Sequence, residues 1–246
     1  MRSCLNCLFV LFDNVYSTPN SCIYPSKSVT DLGIILQEDL SFTLHISDII
    51  KRARNKLSWC LSVFNSRSDE VILTLYKSLV RPILEYCCVL WSPSKVGEIS
   101  LLEGVQRTAT SKIANLEELN YWQRLSKLGL MSLQRRRERY IILYVHKILH
   151  NQVPNDVELR FQDHPRLGIK AVIPPIPRIR SKTRLFDSSF AVRGPGLWNL
   201  LPKWLNNIES FDAFKANLDN YLLDIPDLPP TNGYTCPNSN SLSCWI

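Results

Sequence analysis

Apolar residues recur at helical spacing from Ile46 to Phe64. Ile46, Ile49, Ile50, Ala53, Leu57, Cys60, Leu61 and Phe64 share one face, and Lys51, Arg52, Arg54, Asn55 and Lys56 occupy the other. This pattern predicts an amphipathic helix. Ser68 is suited to cap the next helix, and Asp69 and Glu70 suit the positive end of its dipole. That second helix is expected to bury Ile72, Leu75, Tyr76, Leu79 and Ile83 and to carry Pro82 within it. Proline removes a backbone donor and crowds the preceding turn, so a kink is expected near Arg81–Pro82, with the helix ending at Trp91-Ser92-Pro93. A third helix, at about 96–116, would bury Ile99, Leu102, Val105, Ala109 and Ile113. Three helices joined by short loops predict a compact bundle.

The flanking pattern differs. Ser28–Phe42 has β-like apolar residues broken at Gly33, with Glu38-Asp39-Leu40 reading as a turn, so a strand or short hairpin is expected. Beyond the bundle, a short helix over 121–128 should end at Gly129, and a long one should run over 133–150. From Val153 the prolines at 154, 165, 174, 175 and 177 rule out a long helix, and Ile179–Val192 reads as extended. A last helix opens at Ser210, and after Asp224 the Pro, Asn and Ser content predicts a disordered tail. The expected class is mainly α. Its parts are a leader or remnant (1–27), a β segment (28–42), a three-helix bundle (43–117), a basic helical region (118–152), a small basic α+β extension (153–224) and a tail (225–246).

Charge narrows the partners. The formal net charge is +7, which favours a polyanion, nucleic acid before anionic membrane. No apolar run approaches the ~20 residues of a membrane span. Arg2 followed by Cys4–Phe12 has the outline of a short signal peptide, but Asn6 interrupts it and no small-residue cleavage site follows; a leftover strand reads as well. Cys4 and Cys7 form a CxxC with no second pair or nearby histidine, while Cys60 and Cys87 fall among helix-core residues. Reduced cysteines and an intracellular location, cytoplasmic or nuclear, are expected.

The basic residues cluster. Between Arg107 and Lys147 nine Lys/Arg stand against three acids, so this stretch carries much of the positive charge. Arg135-Arg136-Arg137-Glu138-Arg139 covers more than half a helix circumference, so part of it is expected to face solvent. Arg178, Arg180, Lys182 and Arg184 alternate, which would place all four on one face of a strand. Such a face suits a phosphate backbone, or a charged edge strand that blocks aggregation. The Lys51–Lys56 face is open to the same two kinds of reading, binding or simple solvation. His146 and His150 have metal-ligand spacing, but Lys147 stands where a zinc site's carboxylate would be, and a helix-end role fits His150. Gly194-Pro195-Gly196 lacks the Lys-Ser/Thr of a phosphate loop and reads as a turn. Trp198, Trp204, Phe211 and Phe214 suit core packing better than base stacking by their spacing with Leu197, Leu201 and Leu218.

Five stretches occur in an order that resembles the thumb and following region of reverse transcriptases from non-LTR, LINE-like or jockey-like retrotransposons. They are DLGIILQEDLSFTLHI (Asp31–Ile46), LYKSLVRPILEY with LWSP (Leu75–Pro93), LLEGVQRTATSKI (Leu101–Ile113), RLSKLGLMSLQRRRERYIILYVHKIL (Arg124–Leu149) and FAVRGPGLWNLLP followed by SFDAFKANLDNYL. The resemblance implies a thumb-like bundle that holds an RNA or RNA–DNA duplex by its backbone and packs on a palm-containing segment. The implied contacts are Lys51, Arg52, Arg54, Lys56, Arg107, Arg135, Arg136, Arg139, Arg178, Arg180, Lys182 and Arg184. Family polymerases hold two metal ions on palm aspartates. This chain has no Asp-Asp pair, and Phe12-Asp13-Asn14 lies too close to Asp31 to leave space for palm strands. No catalysis, no bound cofactor (Mg²⁺ belonging to the intact parent enzyme), no small-molecule substrate and no membrane contact are therefore expected. The alternative is a recruited nucleic-acid-binding or interaction protein without enzymatic role.

Overall fold

The computed structural model describes residues 16–18, 21–23, 26–155, 159, 176–177, 184–230 and 240–242. The fold is mainly helical, with short antiparallel strand pairs at its N-terminal side. Strands β1 (Tyr16–Thr18) and β2 (Ser21–Ile23) pair with each other, as do β3 (Ser28–Asp31) and β4 (Ile34–Gln37). The second hairpin turns at Leu32-Gly33, both with positive φ (46° and 83°), the geometry that matches strand twist in a two-residue turn. Its tip thus lies before the Glu38-Asp39-Leu40 turn that the sequence suggested. Tyr86 Oη donates to the Leu32 carbonyl at 3.1 Å, tying the tip to the bundle. Ile34 is buried and Leu36 packs against the same core, as strand alternation requires.

Helix α1 (Thr43–Val63) buries Ile46, Ile49, Ile50, Ala53, Leu57 and Cys60. Helix α2 (Asp69–Leu75) is capped by Ser68, which accepts from Val71 N. The sequence predicts a kink at Pro82, but the chain instead widens to a π turn over Tyr76–Val80 before α3 (Arg81–Glu85). The Arg81 amide donates to the Tyr76 carbonyl, a five-residue step that makes room for the proline ring without breaking the helix. That extra residue shifts the helical phase, and Leu79, expected inside, is exposed. Cys87 takes a left-handed backbone (φ 52°) before α4 (Cys88–Trp91). Cys87 is therefore exposed, against expectation, and its neighbour Cys88 takes the buried place. Burial pushes the Cys88 thiol up to about 12.

Helix α5 (Val96–Thr110) stops six residues earlier than its apolar period suggests. Thr108, Thr110 and Ser111 bond back to the carbonyls of Gly104, Arg107 and Thr108, offering the backbone a competing way to end. Ile113 and Leu116 still reach a small core with Ile72. Helix α6 (Tyr121–Lys127) begins with a capping box of Asn120 and Gln123. Helix α7 (Leu133–Leu149), capped by Ser132, runs between two cores. Leu133 joins the core of α1–α5, and Ile141, Ile142, Val145 and Ile148 join that of the C-terminal helices.

The C-terminal part corrects three expectations. Arg184–Asp187 is a helical turn (α8) and Phe190–Trp198 a helix (α9), so this portion is not extended. Gly194-Pro195-Gly196 lies inside α9 rather than forming a turn. A Cβ on Gly194 would stand 3.0 Å from Val145 Cγ2, so the glycine permits α9 to lie close on α7. After α10 (Lys203–Asn206) and α11 (Phe211–Leu223), the expected disordered tail is ordered where it is described. Asp227 accepts from Ser132 N and Oγ at 2.6 and 2.7 Å, Asn240 bridges Asp227 and Leu228, and Leu242 is buried.

Candidate nucleic-acid interface

Because α1 buries its apolar face, Lys51, Arg52, Arg54 and Lys56 project from the other and are exposed. Arg52 pairs with Asp48 at 2.9 Å. Lys51, Arg54 and Lys56 have no carboxylate partner among the described residues. The Lys56 ammonium lies 5.1 Å from the ring centroid of Trp59, itself 51% exposed. An exposed tryptophan on a basic helix face offers a nucleic acid both a flat apolar surface and a cation.

Helix α5 extends this surface through Gly104. A Cβ built there would lie 3.8 Å from Arg54 Nη2 and 3.7 Å from Arg107 Nη2, so guanidinium groups from two helices meet over one glycine. Neither Arg54 nor Arg107 forms an ion pair among the described residues. Arg124 adds positive charge behind them. It is 7% exposed, bonded to the Leu119 carbonyl and to Thr110 Oγ1, and held below its ordinary pKa by burial, with Arg107 a further contributor. Converging cations without an acid between them suit a phosphate oxygen, which can accept from both forks.

The arginines of α7 are placed differently, and the expectation that part of this run faces solvent is corrected. Arg135 is fully buried and bonds the Pro226 carbonyl at 2.9 Å. Arg136 pairs with Glu85, which also accepts from Tyr140 Oη at 3.1 Å. Burial works against the Arg136 charge, but the Glu85 bond more than offsets it and holds the pKa above its ordinary value. Arg139 pairs with Asp219 on α11. Arg137, 1% exposed, lies near Glu103, and its two terminal nitrogens have no hydrogen-bond partner among the described residues. Glu103 itself accepts from Tyr121 Oη and Gln134 N, each at 2.7 Å. Burial raises the Glu103 pKa and lowers that of Arg137, each acting against the other's attraction. Gln106 completes this centre, accepting from Tyr76 Oη at 2.8 Å and donating to Tyr121 Oη and the Met131 carbonyl.

Arg178, Arg180 and Lys182 lie outside the described residues, and Arg184 opens the helical turn α8. The four are therefore not shown on one strand face. His146 is buried, stacked at 4.2 Å on Phe214, with Nε2 against the Ile208 carbonyl at 2.9 Å. Trp198 and Phe214 are core residues, whereas Trp204 is exposed. Trp59 and Gly104 were not singled out by sequence. A tryptophan on the polar face three residues from Lys56 was the available signal for the first; nothing in the pattern flagged the second.

No protein-family model and no solved structure matches the chain. It is similar to an uncharacterized protein of Caenorhabditis elegans, 28% identical over 151 residues, which are 60% of this chain and 73% of the relative. It is also similar to a probable RNA-directed DNA polymerase from the transposon X-element of Drosophila melanogaster, 30% identical over 89 residues. That stretch is 35% of this chain and 10% of the polymerase. The second match supports a distant relation to retrotransposon polymerases over that stretch. No described helix is long and apolar enough to cross a membrane.

Proposed function

We propose that this chain is a thumb-like part of a retrotransposon-type reverse transcriptase, lacking the catalytic palm, and that it holds an RNA–DNA or RNA duplex by its phosphate backbone. The observation that carries the reading is the meeting of Arg54 and Arg107 over Gly104. Lys51 and Lys56, exposed on the same helix as Arg54 and without a carboxylate partner among the described residues, add to the positive charge of α1. Such a surface gains affinity by releasing counterions from the duplex, so its binding falls steeply with salt and varies little with sequence. The chain performs no nucleotidyl transfer of its own, since the sequence has no Asp-Asp pair to hold two metal ions.

Titrating salt against a labelled RNA–DNA hybrid tests this reading. Arg54→Ala with Arg107→Ala should reduce the log–log salt slope by about one for each phosphate that the variant no longer neutralises. Affinity that ignores salt, or an unchanged slope in the double variant, would overturn it. Primer extension with Mg²⁺ should give no product, and any extension would refute the absence of catalysis.

A second reading has an observation of its own. This chain covers 73% of the uncharacterized nematode protein but 10% of the polymerase. That favours a recruited nucleic-acid-binding or interaction protein in which the same fold acts without a palm. Addition of a palm-containing polymerase segment separates the two: stable association supports the polymerase part, and duplex binding without association supports the recruited protein.

A further inference from the structure

A groove of about 580 Å³, sharing no lining residue with the α1–α5 seam, opens between the α3–α4 turn, α7 and α11. Its volume falls within the usual range of about 300–1,000 Å³ for small-ligand sites. The floor is aromatic. Tyr140 is flanked by the guanidinium carbons of Arg136 and Arg139, 5.5 and 5.6 Å from its ring centroid. Tyr144 is half-buried and fixed edge-on to Phe190 at 5.3 Å. Phe211 carries the Lys147 ammonium 4.6 Å from its ring centroid.

The two arginines are committed to Glu85 and Asp219, which leaves the groove's uncommitted charge on its lysines. Lys147 on α7 and Lys215 on α11 both line it, and neither has a carboxylate partner among the described residues. One ammonium seated on an aromatic ring and a second in the same lining, neither committed to an acid among the described residues, suit a ligand with an anionic backbone and a flat, polarisable body. In a duplex the base faces are stacked on each other, so only an unpaired strand can offer them to a side chain.

We propose that this groove binds a short single-stranded nucleic-acid segment, with phosphate held by Lys147 and Lys215 and an unpaired base against Tyr144 and Phe211. The site is separate from the duplex surface, and neither reading requires the other.

The test measures fluorescence anisotropy of the full chain with three probes: a twelve-nucleotide oligo(U), an abasic strand of equal length, and a blunt RNA–DNA hybrid. Lys147→Ala with Lys215→Ala should weaken oligo(U) binding at least about tenfold while changing hybrid affinity less than about twofold. Restoring the charges as Lys147→Arg with Lys215→Arg should recover most of the loss. The abasic strand should bind the unaltered chain at least about fivefold more weakly than oligo(U), because it has nothing to stack. Unchanged oligo(U) binding in the alanine variant would overturn the proposal. Equal losses on both probes would reduce the lysines to general electrostatics and also overturn it, as would equal affinity for the abasic strand. Arg54→Ala with Arg107→Ala serves as the control: loss of hybrid binding with oligo(U) retained supports two surfaces, and joint loss refutes their separation.

Discussion

Two stretches of nearly equal positive density meet opposite fates. Lys51–Lys56 stands in water on α1, while Arg135–Arg139 is enclosed on α7. The residues themselves do not make the difference, since both stretches are rich in guanidinium groups. It arises from what surrounds each helix. One side of α1 faces a core and the other has nothing over it among the described residues. Helix α7 has one core at its start and another along its length, and Asn240 and Leu242 bond to it as well. Carboxylates from four places, Glu85, Glu103, Asp219 and its own Glu138, offset its charge there. A run of cations therefore reveals a binding surface only when the distant acids that could neutralise it have been located.

Removing one of those acids should produce the largest effect. Glu103→Ala leaves the Tyr121 hydroxyl proton and the Gln134 amide without their acceptor, although Tyr121 Oη still accepts from Gln106, and it leaves Arg137 without its main compensating charge. Loss of one partner from a buried charged centre costs about 3–5 kcal/mol. Urea unfolding of the variant should show that loss, and a cost below about 1 kcal/mol would mean that the centre is not holding α5 to α7. A smaller effect is expected from a double-mutant cycle on Arg139 and Asp219, whose side chains are 8% and 34% exposed. Their coupling should fall at about 1–2 kcal/mol. The same cycle on Arg52 and Asp48, 53% and 43% exposed, should give no more than about 0.5 kcal/mol. Equal couplings would abolish the contrast between the two helices.

Local pattern explains why some of this was legible. Apolar period located α1 closely and α7 almost to the residue, and Ser68 and Ser210 announced their caps, whereas the Ser132 cap was not read from the sequence. What escaped depended on partners far along the chain. The Arg136–Glu85 and Arg139–Asp219 pairs join residues 51 and 80 positions apart, and no period reports such a pairing. Gly194-Pro195-Gly196 looked like a turn because glycine and proline disfavour helix locally. The helix survives because Gly194 allows close packing on Val145. The Pro82 kink became a π turn for a similar reason, as burial of Tyr76 and Val80 at its two ends outweighs the local disruption. At the candidate interface, exposure of α1 followed from its amphipathic pattern, but the approach of Arg107 to Arg54 required the packing of α5 on α1.

Each of the two helices also buries one histidine, and these give a pH test. His45 on α1 packs edge-on to Trp91, and His146 on α7 stacks on Phe214. Burial pushes both below the ordinary value; Arg52 acts in the same direction on His45 against Asp48, and His150 acts in that direction on His146 against the Ile208 carbonyl. With a folded-state pKa below the unfolded one, the unfolded chain binds more protons in acid. Stability is then complete above about pH 6.5 and falls as the pH drops through that value toward the folded-state pKa. Urea midpoints measured downward from neutral pH should decline, and His146→Phe should flatten the decline. A pH-independent midpoint over that window would show that neither ring is held neutral by its surroundings.

The smallest expected change in stability is the one that most sharply separates the helices. Replacing Lys51, Arg52, Arg54 and Lys56 together with Ala removes four exposed cations and one weak ion pair, and alanine is at least as good a helix former as any of them. Unfolding free energy should move by no more than about 0.5 kcal/mol, in either direction. Affinity for the hybrid duplex, by comparison, should fall and lose much of its salt dependence. Replacing Arg135, Arg136, Arg137 and Arg139 on α7 should reverse the order, with stability lost before any binding can be measured. Destabilisation of the α1 variant by several kcal/mol would show its basic face to be structural. Undiminished binding by a folded α1 variant would return that face to simple solvation.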